Sequence, residues 1–496
     1  MRRPRNSLTV FLPLCVALAI LLLNAAAAAA DSPFTAEDVL NFKRVSSAAV
    51  SPDGAWAAFT VSVPRGANDE PGGAWSELWV VSTKGGAPKP FITGKVNASS
   101  PQWNPDGARI SFLMARGEKA KTQVWMIPLA GGEAVEVTSS ETNVASYRWH
   151  PGGGQIAYVA TTPPSKREKE LDKKGYGFTF YEENLKDRNL HLLKVGREGR
   201  LGDAERITED CSVWAFEWSP DGAAIAAGIS PENLVDQQYM FQNIYIIDPA
   251  TKGRRQLTSH KGKLGDFAWS PNGVRIAFNA AKELKDHAES QVFVASLAGL
   301  DGKNLTEPGF RGHVSWVGWK DKNTVLYRSG EGAYPTLSTV NASGGKRAVI
   351  LDARSAGVIF DAPSFTKDFK SFVFTGSAPD VPGDLYFWSA GSKAPKRLTT
   401  LNPWVAERTL GKQEVVRYPA RDGLEIEALL VYPVGYDAGA RYPLVVVVHG
   451  GPESHYSNGW VTSYGSPAQV LAGKGYAVLL PNYRASTGYG LNFALA

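Results

Sequence analysis

The chain has 496 residues, 43% of them hydrophobic and 20% charged, a globular composition that excludes a disordered tail, a coiled coil and a low-complexity array. Two cysteines exclude a disulfide scaffold and a cysteine-based zinc site. The formal charge of +5 falls to +2 once Arg2, Arg3 and Arg5 are set aside, so no nucleic-acid partner is expected.

Those three arginines open a segment that is read apart from the rest. An apolar stretch from 8 to 23 follows them, and alanines lead to Ala30 just before Asp31. This is the pattern of a secretory signal peptide over residues 1–30, with cleavage near Ala30. The apolar stretch is shorter than the ~20 residues a membrane span needs, so no stable membrane anchor is expected after cleavage. The mature chain is expected to be periplasmic or secreted. Cys15 leaves with the peptide, and Cys211 is expected to be a buried small hydrophobe. Residues 31–44 form an N-terminal extension.

From residue 45 a long-period repeat takes over. A turn tetrapeptide starts at Ser51 (SPDG), Asn104 (NPDG), His150 (HPGG), Ser219 (SPDG) and Ser270 (SPNG), with degenerate copies at Lys320 and Thr366. Starts lie 46 to 53 residues apart, save one interval of 69. The residue before each is Val50, Trp103, Trp149, Trp218, Trp269, Trp319 or Phe365, and a short apolar strand follows, as in ARISFLMA or VRIAFNAA. Pro and Gly set a tight turn, and the aromatic before it packs on neighbouring strands. A second strand pair completes each unit. Six units close on an aliphatic residue and a threonine, at Thr93, Thr138, Thr208, Thr258, Thr306 and Thr399. Four strands per unit and seven units predict a seven-bladed β-propeller over residues 45–400, so the fold class is mainly β.

The long interval reflects an insertion at 162–188. Its charged half, 166–174, reads as a solvated helix or arm. The aromatic half from Tyr176 to Tyr181 is expected to pack against other parts of the protein. Glu182 and Glu183 behind it are candidate ligands for a substrate ammonium, with solvated acids as the alternative reading.

After a linker at 401–411 the pattern changes. EVVRYPARDG and LEIEALLVYP form a hairpin around Arg421 to Gly423, and LVVVVHGGP is a β-branched run of the kind buried on both faces of a parallel sheet. A helix-like segment at 467–474 then leads into YAVLLPNYR. The alternation is that of an α/β fold. His449-Gly450-Gly451-Pro452 stands at the carboxyl end of the buried strand, where glycines let backbone N–H groups approach an oxyanion.

HGGP, NYRASTGYG at 482–490, the hairpin before them and the repeat with its SPDG turns resemble the prolyl oligopeptidase family of serine peptidases, on its acylaminoacyl-peptidase and bacterial dipeptidyl-peptidase branch. The resemblance implies a propeller capping an α/β-hydrolase domain, here its N-terminal part over residues 412–496, with short peptides as substrates and no cofactor. It also implies an oxyanion-hole N–H from Gly451. The pair Glu182 and Glu183 is similar, loosely, to the acidic pair that holds the substrate amino terminus in dipeptidyl peptidases.

Such a hydrolase needs a Gly-x-Ser-x-Gly elbow, then Asp, then His. The sequence holds no such elbow, and its last two histidines, His449 and His455, stand ahead of where one would fall. No catalytic residue is therefore assigned in this chain. The nucleophile, Asp and His are expected beyond Ala496, and the polypeptide as it stands is expected to be inactive. A TolB-like propeller that binds envelope proteins or peptides is the alternative, but it has no need of an oxyanion loop.

Overall fold

The computed structural model describes residues 32–117, 120–178, 182–299, 302–451 and 453–496. The expected signal peptide lies outside them. The described chain is mainly β. Seven antiparallel sheets follow one another along the sequence, and an eighth, mixed sheet ends it.

The first sheet pairs Arg44–Val50, Trp56–Val63, Trp75–Ser82 and Lys89–Ile92 in chain order. The next five repeat that order over 99–136, 144–206, 212–256, 264–304 and 313–352. In the seventh the first strand is broken: Ile359–Phe360 and Ser364–Phe365 both pair with Ser371–Ala378.

Three recurring contacts explain why the repeat takes this form. At each turn a side chain closes the loop: Ser51 Oγ donates to Asp53 at 2.5 Å and Ser219 Oγ to Asp221 at 2.6 Å, while the Ser51 and Ser219 N–H groups bond past the turn. Next, the tryptophan before a turn donates its indole N–H to the preceding sheet. Trp103 reaches the carbonyl of Ala49, Trp269 that of Glu217 and Trp319 that of Ala268, at 2.9 to 3.1 Å. Last, the closing threonines of five units accept a backbone N–H from the third strand, as Thr138 does from Val124 and Thr399 from Leu385. The hydroxyl thus stands in for a backbone acceptor where the fourth strand is only a few residues long.

Apolar clusters lie between consecutive sheets. Ile110 and Phe112 pack with Ala58 and Leu78, for example, and Ala277 and Val294 with Val317 and Tyr327. One further cluster joins Phe59 and Val61 of the first sheet to Val373 and Leu385 of the seventh. The turns close in the same way. A Cβ on Gly107 would touch Pro52 and one on Gly273 would touch Pro220, while one on Gly54 would collide with Thr366 at 2.9 Å. The seven sheets therefore form a ring in which the first meets the last.

Within the insertion, Lys166–Lys173 is an α-helix with a Ser165 capping box and no buried residue. Only part of the aromatic half is described. Tyr176 and Phe178 are 57% and 67% exposed, touching each other edge to face at 6.5 Å, and residues 179–181 lie outside the described ones. Cys211 is buried, as expected.

The eighth sheet has the order Gln413–Pro419, Glu425–Val431, Ala477–Asn482, Leu444–Val446, and its last two strands are parallel. Helix Ala468–Gly473 covers Leu429, Val478 and Leu480. In this chain the β-branched run around Leu444–Val446 is not buried on both faces. This strand is an edge, and Leu444, Val446 and Val448 are 52 to 65% exposed because among the described residues neither a helix nor a neighbouring strand covers that face.

Residues 32–43 tie the two parts together. Asp38 takes two bonds of 2.9 Å from Arg408, and Phe34 and Phe42 pack with Trp404 and Trp460. Among the described residues no helix is long and apolar enough to cross a membrane.

Candidate active site

Strands Leu444–Val446 and Ala477–Asn482 run parallel, so the loops after them leave the sheet at one end. Those loops carry the two motifs that stand out in the sequence, and their side chains bind each other. His449 stacks on Tyr483 with ring centroids 4.4 Å apart, and its Nε2 shares a hydrogen bond of 2.8 Å with Ser486 Oγ. The Tyr483 hydroxyl donates to the His449 carbonyl at 2.7 Å. Asn482 then clamps Tyr456 through both its N–H and its carbonyl, and His455 Nδ1 meets Thr487 Oγ1 at 2.9 Å.

Gly451 caps this platform in left-handed backbone at φ +53°, exposed, with nothing within 4 Å of where a Cβ would stand. Among the described residues its N–H has no acceptor. Pro452 lies outside the described residues. The nearest Ser–His pair, Ser486 with His449, is no nucleophile and base: Ser486 is 0% exposed and out of a substrate's reach. Burial pushes the His449 imidazole below its ordinary pKa. His455 and the neighbouring His313 are pushed down to about 4, again chiefly by burial, so all three are neutral near pH 7.

The platform is fastened to the ring by a set of contacts that no sequence pattern announces. Glu289, 1% exposed at the head of strand Ser290–Ser296, accepts the N–H groups of Gly488, Tyr489 and Gly490 on one oxygen at 2.9 to 3.3 Å. Its other oxygen is buried without a partner. Burial outweighs those donors and pushes the Glu289 carboxyl up to about 7. Gly332 N–H donates to the Gly488 carbonyl, and a Cβ on Gly488 would lie only 3.2 Å from Gly330 and Gly332 backbone, so a glycine is required there. Glu427, on the central strand of the last sheet, accepts from Ala333 N–H at 2.7 Å and the Tyr489 hydroxyl at 2.9 Å, and pairs with Arg417. Lys263 bridges Asp286 and Glu453.

These contacts orient the ring. Residues between the second and third strands of the fifth and sixth sheets, Glu289 and Gly332 among them, face the platform. The insertion at 162–187 leaves the third sheet between its own second and third strands, and hence at the same end of the ring. Glu182 and Glu183 stand on that insertion, both exposed, Glu182 with left-handed backbone at φ +57°. Their carboxylates make no described contact with the platform. Among the described residues no group of three His, Cys, Asp or Glu is placed to hold a metal.

No family model matches the chain. It is 27% identical over 93% of its length to the uncharacterized peptidase YuxL of Bacillus subtilis, covering 72% of that protein. Identity is also 27% to dipeptidyl-peptidase 5 of Porphyromonas gingivalis, over 92% of this chain and 68% of that one. In fold it is similar to Pyrococcus horikoshii acylaminoacyl peptidase, with a TM-score of 0.73 at 17% identity over 93% of this chain and 69% of the other. A prolyl endopeptidase has a TM-score of 0.63 at 12% identity, over 97% and 68%. Relatives that are peptidases match nearly its whole length and the HGGP and NYRASTGYG loops join as one platform, and both findings support the resemblance to the prolyl oligopeptidase family.

Proposed function

We propose that the protein is the ring and oxyanion-loop portion of a secreted serine-type peptidase that acts on short peptides. In this reading the seven sheets are the blades of a seven-bladed β-propeller over residues 45–400. Residues 412–496 begin an α/β-hydrolase domain. The observation that carries it is the platform: a parallel strand pair delivers Gly451 to the end of the sheet that faces the ring. A backbone N–H with no acceptor among the described residues and held on a stacked His449–Tyr483 base is suited to stabilise an oxyanion, a role worth about 3 kcal/mol in acyl transfer.

Peptide binding follows from the same arrangement. Glu182 and Glu183 share the ring's platform end, and an exposed acidic pair there is suited to a peptide's ammonium group. The test is calorimetric titration of the 496-residue polypeptide with dipeptides whose amino end is free or acetylated. The free form is expected to bind about tenfold tighter, and the double change Glu182→Gln, Glu183→Gln to abolish the difference; equal affinities would overturn the assignment. Because no Gly-x-Ser-x-Gly occurs in these 496 residues, a fluorophosphonate is expected to label no serine of this polypeptide, Ser486 included. For localisation, expression in a bacterium is expected to yield a periplasmic product that begins at Asp31, read by N-terminal sequencing.

A further inference from the structure

At the opposite end of the ring lies a cavity that the peptidase reading does not use. The first strands of the sheets begin at the platform, where His313 and Lys263 sit, and run to the tryptophan turns. Around those turns, on the ring axis, is a cavity of about 730 Å³. Arg148, Glu217 and Asp266 of the third to fifth sheets line one side of it, and Trp316, Phe365 and Phe369 of the sixth and seventh line the other. We propose that this cavity is a second binding site, for a single organic cation such as the protonated amine or guanidinium of a peptide side chain.

Charge supports this first. Arg148 Nε is held by Glu217 at 2.8 Å, which neutralises that pair. Asp266 has no hydrogen-bond or ion-pair partner among the described residues, and Arg148 is the one cation acting on both acids, so the three side chains carry a formal net charge of about −1. Asp266 is open to the cavity yet surrounded by protein, and burial together with Glu217 raises its carboxyl pKa. A cation placed beside it would reverse that shift.

The aromatic wall supports it independently. Trp316 stacks on Phe365 at 6.0 Å and 18°, and Phe369 continues the wall at 5.8 Å from Phe365. Aromatic faces attract cations, most strongly indole. Phe369 occupies the turn position that glycine takes at Gly54, Gly107, Gly222 and Gly273, and like them it has left-handed backbone, at φ +56°. Its N–H makes the same bond across the turn, to Thr366 at 2.9 Å. A bulky residue in that conformation is strained, and strain that a glycine would relieve points to a task for the side chain. Here the ring of Phe369 faces the cavity.

The test titrates the purified 496-residue protein with Nα-acetyl-lysine amide, its norleucine counterpart and Nα-acetyl-glutamate amide, read by tryptophan fluorescence and calorimetry. The titrations are repeated on the Glu182→Gln, Glu183→Gln protein, which removes the acidic pair as a rival site for the lysine ammonium, so failure here and failure of the peptidase reading are separable. The lysine compound is expected to bind at least tenfold tighter than either control. Asp266→Asn is expected to lose that preference and Asp266→Glu to keep it. Phe369→Gly is expected to raise the melting temperature while weakening lysine-amide binding severalfold, opposite signs that a purely structural role would not produce. Equal binding of lysine and norleucine compounds, tighter binding of the glutamate compound, or full binding by a folded Asp266→Asn protein would overturn the proposal.

Discussion

The ring and the last sheet solve the same problem to different degrees. In the ring every sheet has an apolar cluster on each side, and the cluster of Phe59 with Val373 closes the circle. The last sheet is covered by one short helix and ends on Leu444–Val446, whose side chains and outer backbone groups face solvent. A closed ring shares its stability around the circle. An open sheet depends on whatever lies against its edge.

The largest effect expected from breaking this comparison is a core truncation on either side. Phe112→Ala in the ring is expected to cost about 3–5 kcal/mol and Leu480→Ala in the last sheet about 2–5 kcal/mol. Both residues are 0% exposed. In calorimetry the Leu480 variant is expected to lower an early, separate transition and leave the ring's transition in place, whereas the Phe112 variant lowers the ring's. A single transition shifted by both would show that the two parts melt as one.

Next in size is the joint between them. The Glu289 carboxyl has a folded pKa raised to about 7, so the folded state keeps a proton that the unfolded state has released. Its contribution is therefore full below the ordinary glutamate range and is lost as pH rises towards 7, by up to about 3 kcal/mol. His313 and His455 act in the opposite sense: their lowered pKa values mean stability is lost as pH falls from about 6.5 to about 4. Glu289→Gln is expected to remove only the first trend, so its stability relative to the parent rises between pH 5 and pH 8. Parallel pH curves for the two proteins in urea unfolding would contradict this.

Smaller effects belong to single positions. Ala485 has left-handed backbone at φ +74° within the NYRASTGYG loop, and Ala485→Gly is expected to stabilise the protein by about 1 kcal/mol in the same urea assay. Val446→Lys on the open edge is expected to change stability by less than about 0.5 kcal/mol while reducing apolar-dye binding and concentration-dependent aggregation in light scattering.

Much of the ring could be read from sequence because its devices are local. The turn, the tryptophan before it and the closing threonine recur at fixed offsets, and each has a bonding role within one or two sheets. The broken strand of the seventh sheet was harder, since Asp361 to Pro363 interrupts a pattern already weakened by the loss of glycine at Phe369. At the candidate site the two loop motifs were legible, and they do meet. Glu289 and Glu427 were not, because each finds its partners across the ring joint. Glu289 lies 199 residues from Gly488, and nothing in AESQ or EIEALL marks either acid as an anchor. Of the aromatic half of the insertion, Tyr176 and Phe178 are described, and both are exposed and in contact with each other.

The clasp at the chain's start has a topological meaning. Pro33 pairs with Thr409, the Ser32 carbonyl accepts the Thr409 N–H at 2.9 Å, and Lys43 exchanges two bonds with Asn402. The two ends of the ring therefore leave it side by side. Seen from the last sheet, the whole ring is a detachable cassette on a two-stranded stem. Rings with more or fewer sheets, or larger insertions between their strands, could occupy that stem without moving Gly451 from the platform.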